Sequence, residues 1–478
     1  MSDTIDAATP KRNAYDSEPP PKLLEFMVTG WAPKTSAAAR LAGAEHFRAR
    51  REALGRQFPG ETLVVATGNE KTRANDTTYR FRPGTDFYYL TGNLEPDCVL
   101  VLEPEGARHR SVLYVEPNPG KSDATFFTDR AKGELWVGPR LGVPESQQRY
   151  GVDEARPIAT LLDALPHTGF RAIRGLDANV DARLAEQDDR DKAFAAALSE
   201  MRLLKDDHEV AELERAIAAT VAGFEDVVRA LPRSTTERHV EGHFALRARV
   251  DGNDVGYNTI AASGPHACIL HWTANDGDLR AGDLLLLDAG VEAHTLYTAD
   301  VTRTVPLTGT YSPEQRAIYD LVYQAQEAAL AQCAPGNDFL EPNRAAMRVL
   351  AEGLERLGIL ASAETALADE HQFYKRYSLH NVSHMLGLDV HDCAQARMET
   401  YKYGTLAAGM VLTVEPGLYF QPDDLTVPAP YRGIGVRIED DVLITPRGHR
   451  LLSAGLPRES SAVEAWMRDL QTTEGGSP

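Results

Sequence analysis

The sequence predicts an α/β (α+β) protein of two domains, a mixed α/β N-terminal domain and a larger C-terminal domain of β-hairpins alternating with helices. Three observations predict it. Short β-rich runs, ETLVVATG, FYYLTG, DCVLVLEP and SVLYVEP, follow the helix-period segment AAARLAGAEHFRARREALG and alternate with helical stretches. An almost purely helical stretch then occupies residues 192–231, and from residue 283 onward hairpin-like runs alternate with helices. These signals divide the chain into a polar, proline-rich leader (1–35), an N-terminal domain (36–195), a C-terminal domain (196–465) and a tail (466–478).

Composition narrows the function. The 478 residues carry 50 Lys and Arg against 70 Asp and Glu, a net charge of −20, with no long basic run, so nucleic acid is not an expected partner. Apolar runs such as Leu284 to Leu287 are far too short to cross a bilayer. The four cysteines (Cys98, Cys268, Cys333, Cys393) are scattered without a CxxC, which argues against a disulfide framework or thiolate zinc site. The first residues hold no apolar h-region, so no signal peptide is expected, and the scattered cysteines fit reduced thiols in a cytoplasmic protein.

Two candidate hairpins carry carboxylates inside core-like sequence. In DLLLLDAGVEAHTLYTADVTRTVPL, Asp288 and Asp300 each lie six residues from a polar break at His294, which predicts that they face each other across a strand pair. In MVLTVEPGLYFQPDDLTVPAPYRGIGVRIEDDVLIT, Glu415 and Glu439 each lie twelve residues from Val427, which predicts a second facing pair. Carboxylates at strand ends are ordinarily solvated. Asp288, however, follows four leucines, and Glu439 follows GIGVRI, and charges in such strands are seldom buried without partners. Four clustered carboxylates repel one another and raise one another's pKa, whereas two divalent cations balance them. An oxygen-rich set with one imidazole favours Mn²⁺-like ions.

A hydrolytic metal site also needs hydrogen-bond donors near the substrate carbonyl. HNVSHMLGLDVHDC supplies His380, His384 and His391, and NTIAASGPHACILHWTAND supplies His271. For any one of these histidines alone, a hydrogen-bonded core or surface residue is the favoured reading. His208, His239 and His243 sit in helical, charged surroundings and are given no role.

The strings YNTIAASGPHACILHWTAND, LLLLDAGVEAHTLYTADVTRTVP, SLHNVSHMLGLDVHD, VLTVEPGLY and GIGVRIEDDVLIT, in that order, resemble the Xaa-Pro aminopeptidases (aminopeptidase P) of the pita-bread metallopeptidase family. YRFRPGTDFYYLTGNLEPDCVLVL is similar to that family's N-terminal domain. The resemblance implies a C-terminal pita-bread catalytic domain with five ligands for two divalent ions, Mn²⁺ foremost and Co²⁺ or Zn²⁺ as alternatives. Asp300 and Glu439 would bridge the ions, Asp288 would complete one, and His384 and Glu415 the other. It further implies that Glu415 also shuttles protons, that His271 and His391 sit beside the substrate carbonyl, and that His380, Tyr419 and Arg437 line the proline side or support the ligands. Tyr88 stands where relatives often carry tryptophan, in an aromatic wall offered to a neighbouring subunit. The aspartate spacing is one residue longer than is usual, which an insertion at the hairpin tip HTLY absorbs.

The implied activity is hydrolysis of the N-terminal Xaa-Pro bond of peptides by a homodimer or homotetramer. An Xaa-Pro dipeptidase (prolidase) shares the ligand set, and its cleft length is not legible in one sequence. A non-catalytic relative would be expected to lack some of the five ligands, all of which are present.

Overall fold

The computed structural model describes residues 19–32, 38–184 and 189–473. The chain divides into two compact units, residues 1–195 and 196–478.

In the first unit a five-stranded sheet is built from β1 (Leu63–Ala66), β2 (Val99–Glu105), β3 (Arg108–Val115), β4 (Glu154–Pro157) and β5 (Arg171–Ala172), in the order β4-β3-β2-β1-β5. β1, β2 and β3 pair antiparallel, and β4 and β5 join the edges in parallel. Val64, Val101, Val112 and Tyr114 of the strands bury one core together with Phe170. Of the expected leader, Pro21–Met27 is a short helix, and residues 1–18 and 33–37 lie outside the described residues.

The second unit begins with two helices, α2 (Asp207–Ala230) and α3 (Glu237–Asp251), so the helix Ala44–Gln57 of the first unit is α1. A capping box of Asp206 and Glu209 starts α2, with each side chain satisfying an otherwise unpaired backbone amide. Strands β6 (Ile260–Ser263), β7 (Leu284–Ala289) and β8 (Val301–Pro306) form one antiparallel sheet, in the order β8-β7-β6. Helices α4 (Pro313–Leu330) and α5 (Glu341–Arg356) follow as a packed pair. Then come β9 (Val411–Val414), β10 (Gly417–Tyr419), β11 (Gly435–Arg437), β12 (Asp440–Thr445) and β13 (Gly448–Leu451). β9, β12 and β13 make a second antiparallel sheet, and β10 pairs with β11.

Three links tie these pieces into one scaffold. A bridge between Thr302 and Glu439 joins β8 to the segment that enters β12. Residues 382–386 run along β9, with Leu386 N–H bonded to Val411 O, Thr413 N–H to His384 O and Glu415 N–H to Val382 O. From α4, Gln326 Nε2 donates to Val414 O and to Asp440 Oδ2 behind the sheet. A large core that includes Leu285, Leu287, Val322, Met347, Leu412 and Val442 fills the space beneath.

The expected register holds for one hairpin and shifts for the other. Val414 pairs with Asp440 and Gly417 with Arg437, so both ladders centre on Val427 and put Glu415 opposite Glu439. In the first hairpin, Asp288 pairs with Thr302 and Glu292 with Thr298, so the turn centres on Thr295 rather than His294. Asp288 and Asp300 are therefore diagonal neighbours on the same face rather than a directly opposed pair, because side chains two residues apart share a face.

The tail expected from residue 466 is corrected through Thr473. Ser460–Thr473 forms α6, whose Val463 and Met467, one helical turn apart, are buried; residues 474–478 lie outside the described residues. Among the described residues no helix is long and apolar enough to cross a membrane.

Candidate metal centre

The scaffold delivers the candidate residues to one place. Asp288 lies near the end of β7, Asp300 immediately before β8, Glu415 just after β9 and Glu439 just before β12. His384 projects from the segment laid along β9, where Thr413 Oγ1 accepts its backbone N–H at 3.2 Å. All five, with His271, His380, His391 and Arg437, line a cavity of about 590 Å³. Tyr419 reaches it through its hydroxyl, 2.7 Å from His380 Nε2 and 2.9 Å from Arg437 Nη1.

Asp300, His384 and Glu439 present ligand atoms within 4.8 Å of one another. His384 Nε2 is 3.2 Å from Asp300 Oδ2 and 3.6 Å from Glu415 Oε1. On the other flank the Tyr257 hydroxyl lies 2.6 Å from Asp288 Oδ1 and 2.5 Å from Asp300 Oδ1. The hydroxyl thus bridges the two aspartates on this flank.

The electrostatics show what the cluster lacks. Burial raises the Asp288 pKa, with repulsion from Asp300 adding to it and Arg437 opposing it. Burial raises Glu415 to about 7, and lifts Glu439 well above the carboxylate range with help from Asp300, Glu415 and Asp288. Burial works against a charged His384, but the Asp300 carboxylate, with Glu415, outweighs it and raises the imidazole to about 9. His380 falls to about 4, through burial and then the Arg437 charge, which leaves it neutral near pH 7. Burial and mutual repulsion disfavour the charged forms of crowded carboxylates, and nearby cations offset both effects. Divalent cations are the partners that such an oxygen-rich set with one imidazole accommodates, so the residues fit the metals expected of them.

His271 and His391 are exposed on the cavity wall, whereas His380 and His384 are half-buried. The His391 ring meets that of His384 edge-on, with centroids 4.4 Å apart. Arg437 is buried, and it donates from Nη2 to Asp288 Oδ2 at 2.5 Å and from Nε to Thr302 Oγ1 at 3.2 Å. Thr302 Oγ1 in turn donates to Glu439 Oε2 at 2.7 Å.

Tyr88 lies in the helix Thr85–Thr91 of the first unit, is 5% exposed, and packs edge-on against Phe47. Sequence reasoning passed over Tyr257, Thr302 and Asp441, the last of which accepts the Asp300 amide N–H at Oδ2. Tyr257 heads the string YNTIAASG and Asp441 closes the run EDD, but only the folded register aims them at the candidate ligands.

Residues 211–446 match the family model for metallopeptidase family M24, and residues 47–172 match that for the aminopeptidase P N-terminal domain. Xaa-Pro aminopeptidase 1 of Streptomyces coelicolor is 52% identical over 457 residues, covering 94% of this chain and 92% of its own. The Xaa-Pro aminopeptidase of Escherichia coli is 35% identical, covering 88% of this chain and 97% of its own. The structure of aminopeptidase P from E. coli with the inhibitor Pro-Leu superposes with a TM-score of 0.79 at 33% identity, over 90% of this chain and 99% of that one. The mixed α/β architecture is thus that of an aminopeptidase P N-terminal domain followed by a pita-bread metallopeptidase domain.

Proposed function

The chain belongs to metallopeptidase family M24, and on that premise we propose how its cavity removes the residue preceding proline at the N-terminus of a peptide. It is an Xaa-Pro aminopeptidase, a metal-dependent exopeptidase. The observation that carries the site assignment is the convergence of Asp300, His384 and Glu439 within 4.8 Å in a cavity that Asp288 and Glu415 also line.

Asp288, Asp300, His384, Glu415 and Glu439 would together hold two divalent cations. Mn²⁺ suits the donor set best, with Co²⁺ and Zn²⁺ as substitutes. When bound, the cations would supply Lewis acidity at the scissile carbonyl and lower the pKa of an attacking water. The remaining chemistry belongs to the side chains. Glu415 carries the proton of that water at a carboxylate oxygen and passes it to the departing proline nitrogen. His271 and His391, exposed on the wall, donate hydrogen bonds where negative charge builds on the carbonyl oxygen. The free α-amine of the substrate is drawn to the carboxylate-rich floor, which restricts cleavage to the first bond.

An Xaa-Pro bond offers no amide N–H, so recognition must come from shape on the proline side. The chain His380–Tyr419–Arg437 is assigned to that wall. Neutral His380 bonds to Tyr419, and Arg437 fixes Tyr419 and Asp288 together.

The four cysteines are buried and free, which fits a reducing compartment such as the cytoplasm. A homodimer or homotetramer is proposed from the family resemblance, and light scattering tests it. Hydrolysis of Ala-Pro against Ala-Pro-Ala by the Mn²⁺-loaded protein tests the activity. Release of alanine from the tripeptide is expected, and cleavage of the dipeptide alone would reassign the protein as a dipeptidase.

A further inference from the structure

We propose that Glu237 is a positioning residue for His271, holding the loop that carries it through a carboxylate saturated with hydrogen bonds. The inference rests on the reading of His271 as a group that meets the substrate carbonyl.

Glu237 is the first residue of α3, outside the cavity, and is 0% exposed. A buried carboxylate is costly unless its lone pairs are filled. Here each oxygen takes two donors. Oε1 accepts Ser263 N–H at 2.7 Å and lies 2.8 Å from His266 Nδ1. Oε2 accepts the Trp272 indole N–H and the Gly277 N–H, both at 2.8 Å. The four partners are spread over residues 263–277, which is the span of the loop bearing His271.

The loop leaves little room for another arrangement. The rings of His266 and Trp272 stack with centroids 3.9 Å apart, so the two side-chain partners of Glu237 also brace each other. A Cβ at Gly277 would come within 2.7 Å of the His266 ring and 2.9 Å of Glu237 Cδ. On the opposite side, Cys268 is tied to the end of β10: its sulfur donates to Phe420 O, and its carbonyl accepts Gln421 Nε2 at 2.8 Å. His271 lies between these two anchors, immediately before Trp272. Without the Trp272 anchor the loop could turn about Cys268 and carry the imidazole off its line to the carbonyl. A displacement on the order of 1 Å suffices to slow a positioned reaction about 100-fold.

The test is a double-mutant cycle on the Mn²⁺-loaded protein, with kcat, KM and metal content measured for each variant. Glu237→Gln keeps the shape but offers one acceptor oxygen and a competing NH₂ donor to four donors. Trp272→Phe keeps the carboxylate and removes one donor, so it serves should Glu237→Gln fail to fold. Both are expected to lower kcat, Glu237→Gln by roughly 10- to 100-fold, with metal content unchanged. In a His271→Ala background neither should lower kcat further, because the group they position is gone. Equal losses in both backgrounds would overturn the proposal and leave Glu237 a structural residue. Wild-type turnover in His271→Ala alone would overturn the reading of His271, and the proposal with it.

Discussion

The guanidinium of Arg437 lies 2.5 Å from the carboxylate of Asp288, and both side chains are buried on the wall of the cavity. The same guanidinium holds the Tyr419 hydroxyl and Thr302 Oγ1, and Thr302 passes the constraint to Glu439. One cation thus orients residues on β7, β8 and β10 and, through Thr302, the glutamate that precedes β12.

Arg437→Ala should therefore impair both stability and activity. Removing one partner of a buried ion pair costs about 3 kcal/mol at the low end of the usual range, the end that applies here because Asp288 can take up a proton. Urea unfolding of the metal-free protein reads that loss. Turnover of Ala-Pro-Ala should fall as well, since Tyr419 and Asp288 lose their common tether. Unchanged stability and turnover would show that the pair contributes nothing.

Asp300→Ala and Glu439→Ala each remove a carboxylate assigned to both cations. Metal affinity should drop on the order of 100-fold or more, at least the penalty seen when groups merely supporting a ligand are lost. Activity should vanish with it. Elemental analysis after dialysis against a weak chelator checks the first effect, and tripeptide turnover the second. Wild-type turnover in either variant would contradict the two-metal assignment.

His271→Ala separates binding from chemistry. Its imidazole is assigned to the carbonyl rather than to a cation, so kcat should fall about 100-fold while metal content stays intact. A joint loss of metal would reassign His271 to ligation or to folding.

Stability in acid should depend on Asp392. This residue is buried between Arg202 Nε at 2.9 Å and Lys205 Nζ at 3.1 Å. Burial opposes its charge, but Lys205 and Arg202 outweigh burial and depress its pKa. A depressed folded-state pKa means that the unfolded chain binds the proton more readily. The stabilisation is therefore complete above the unfolded value of about 3.9 and is lost as pH falls below it through the folded value. Unfolding free energies from pH 3 to 7 should show this acid limb in the wild type and a shallower one in Asp392→Asn. That variant should also lose about 3–5 kcal/mol at neutral pH, because two cations are left buried without their anion. Identical acid limbs would rule Asp392 out as the titrating group.

The four carboxylates were legible because they stand in strand-like sequence where a charge is out of place, whereas His384 was singled out by the family resemblance. The symmetry of Glu415 and Glu439 about Val427 was readable because the two short ladders on either side of the loop share one register. The Asp288–Asp300 hairpin was misjudged by one residue. Its turn contains Leu296 at a φ of 65°, a conformation that residue identity there does not announce. The helix Ser460–Thr473 carries Val463, Trp466, Met467 and Leu470 at helical spacing, an apolar face that packs on the core and that the expected tail passed over.

By itself the sequence determined the chemistry: four carboxylates and four histidines on defined strands and loops, an acidic surface that does not suit nucleic acid, and motifs specific to one peptidase family. Those follow from side-chain identity and local period, which each residue carries wherever the chain goes. Only the tertiary structure decided which groups support the site. Tyr257 between two aspartates, Thr302 under Glu439, Arg437 against Asp288 and Glu237 behind the His271 loop are contacts between segments distant in sequence. Hydrogen-bond geometry at that scale is set by sheet register and packing, and neither is encoded at the position of any one residue.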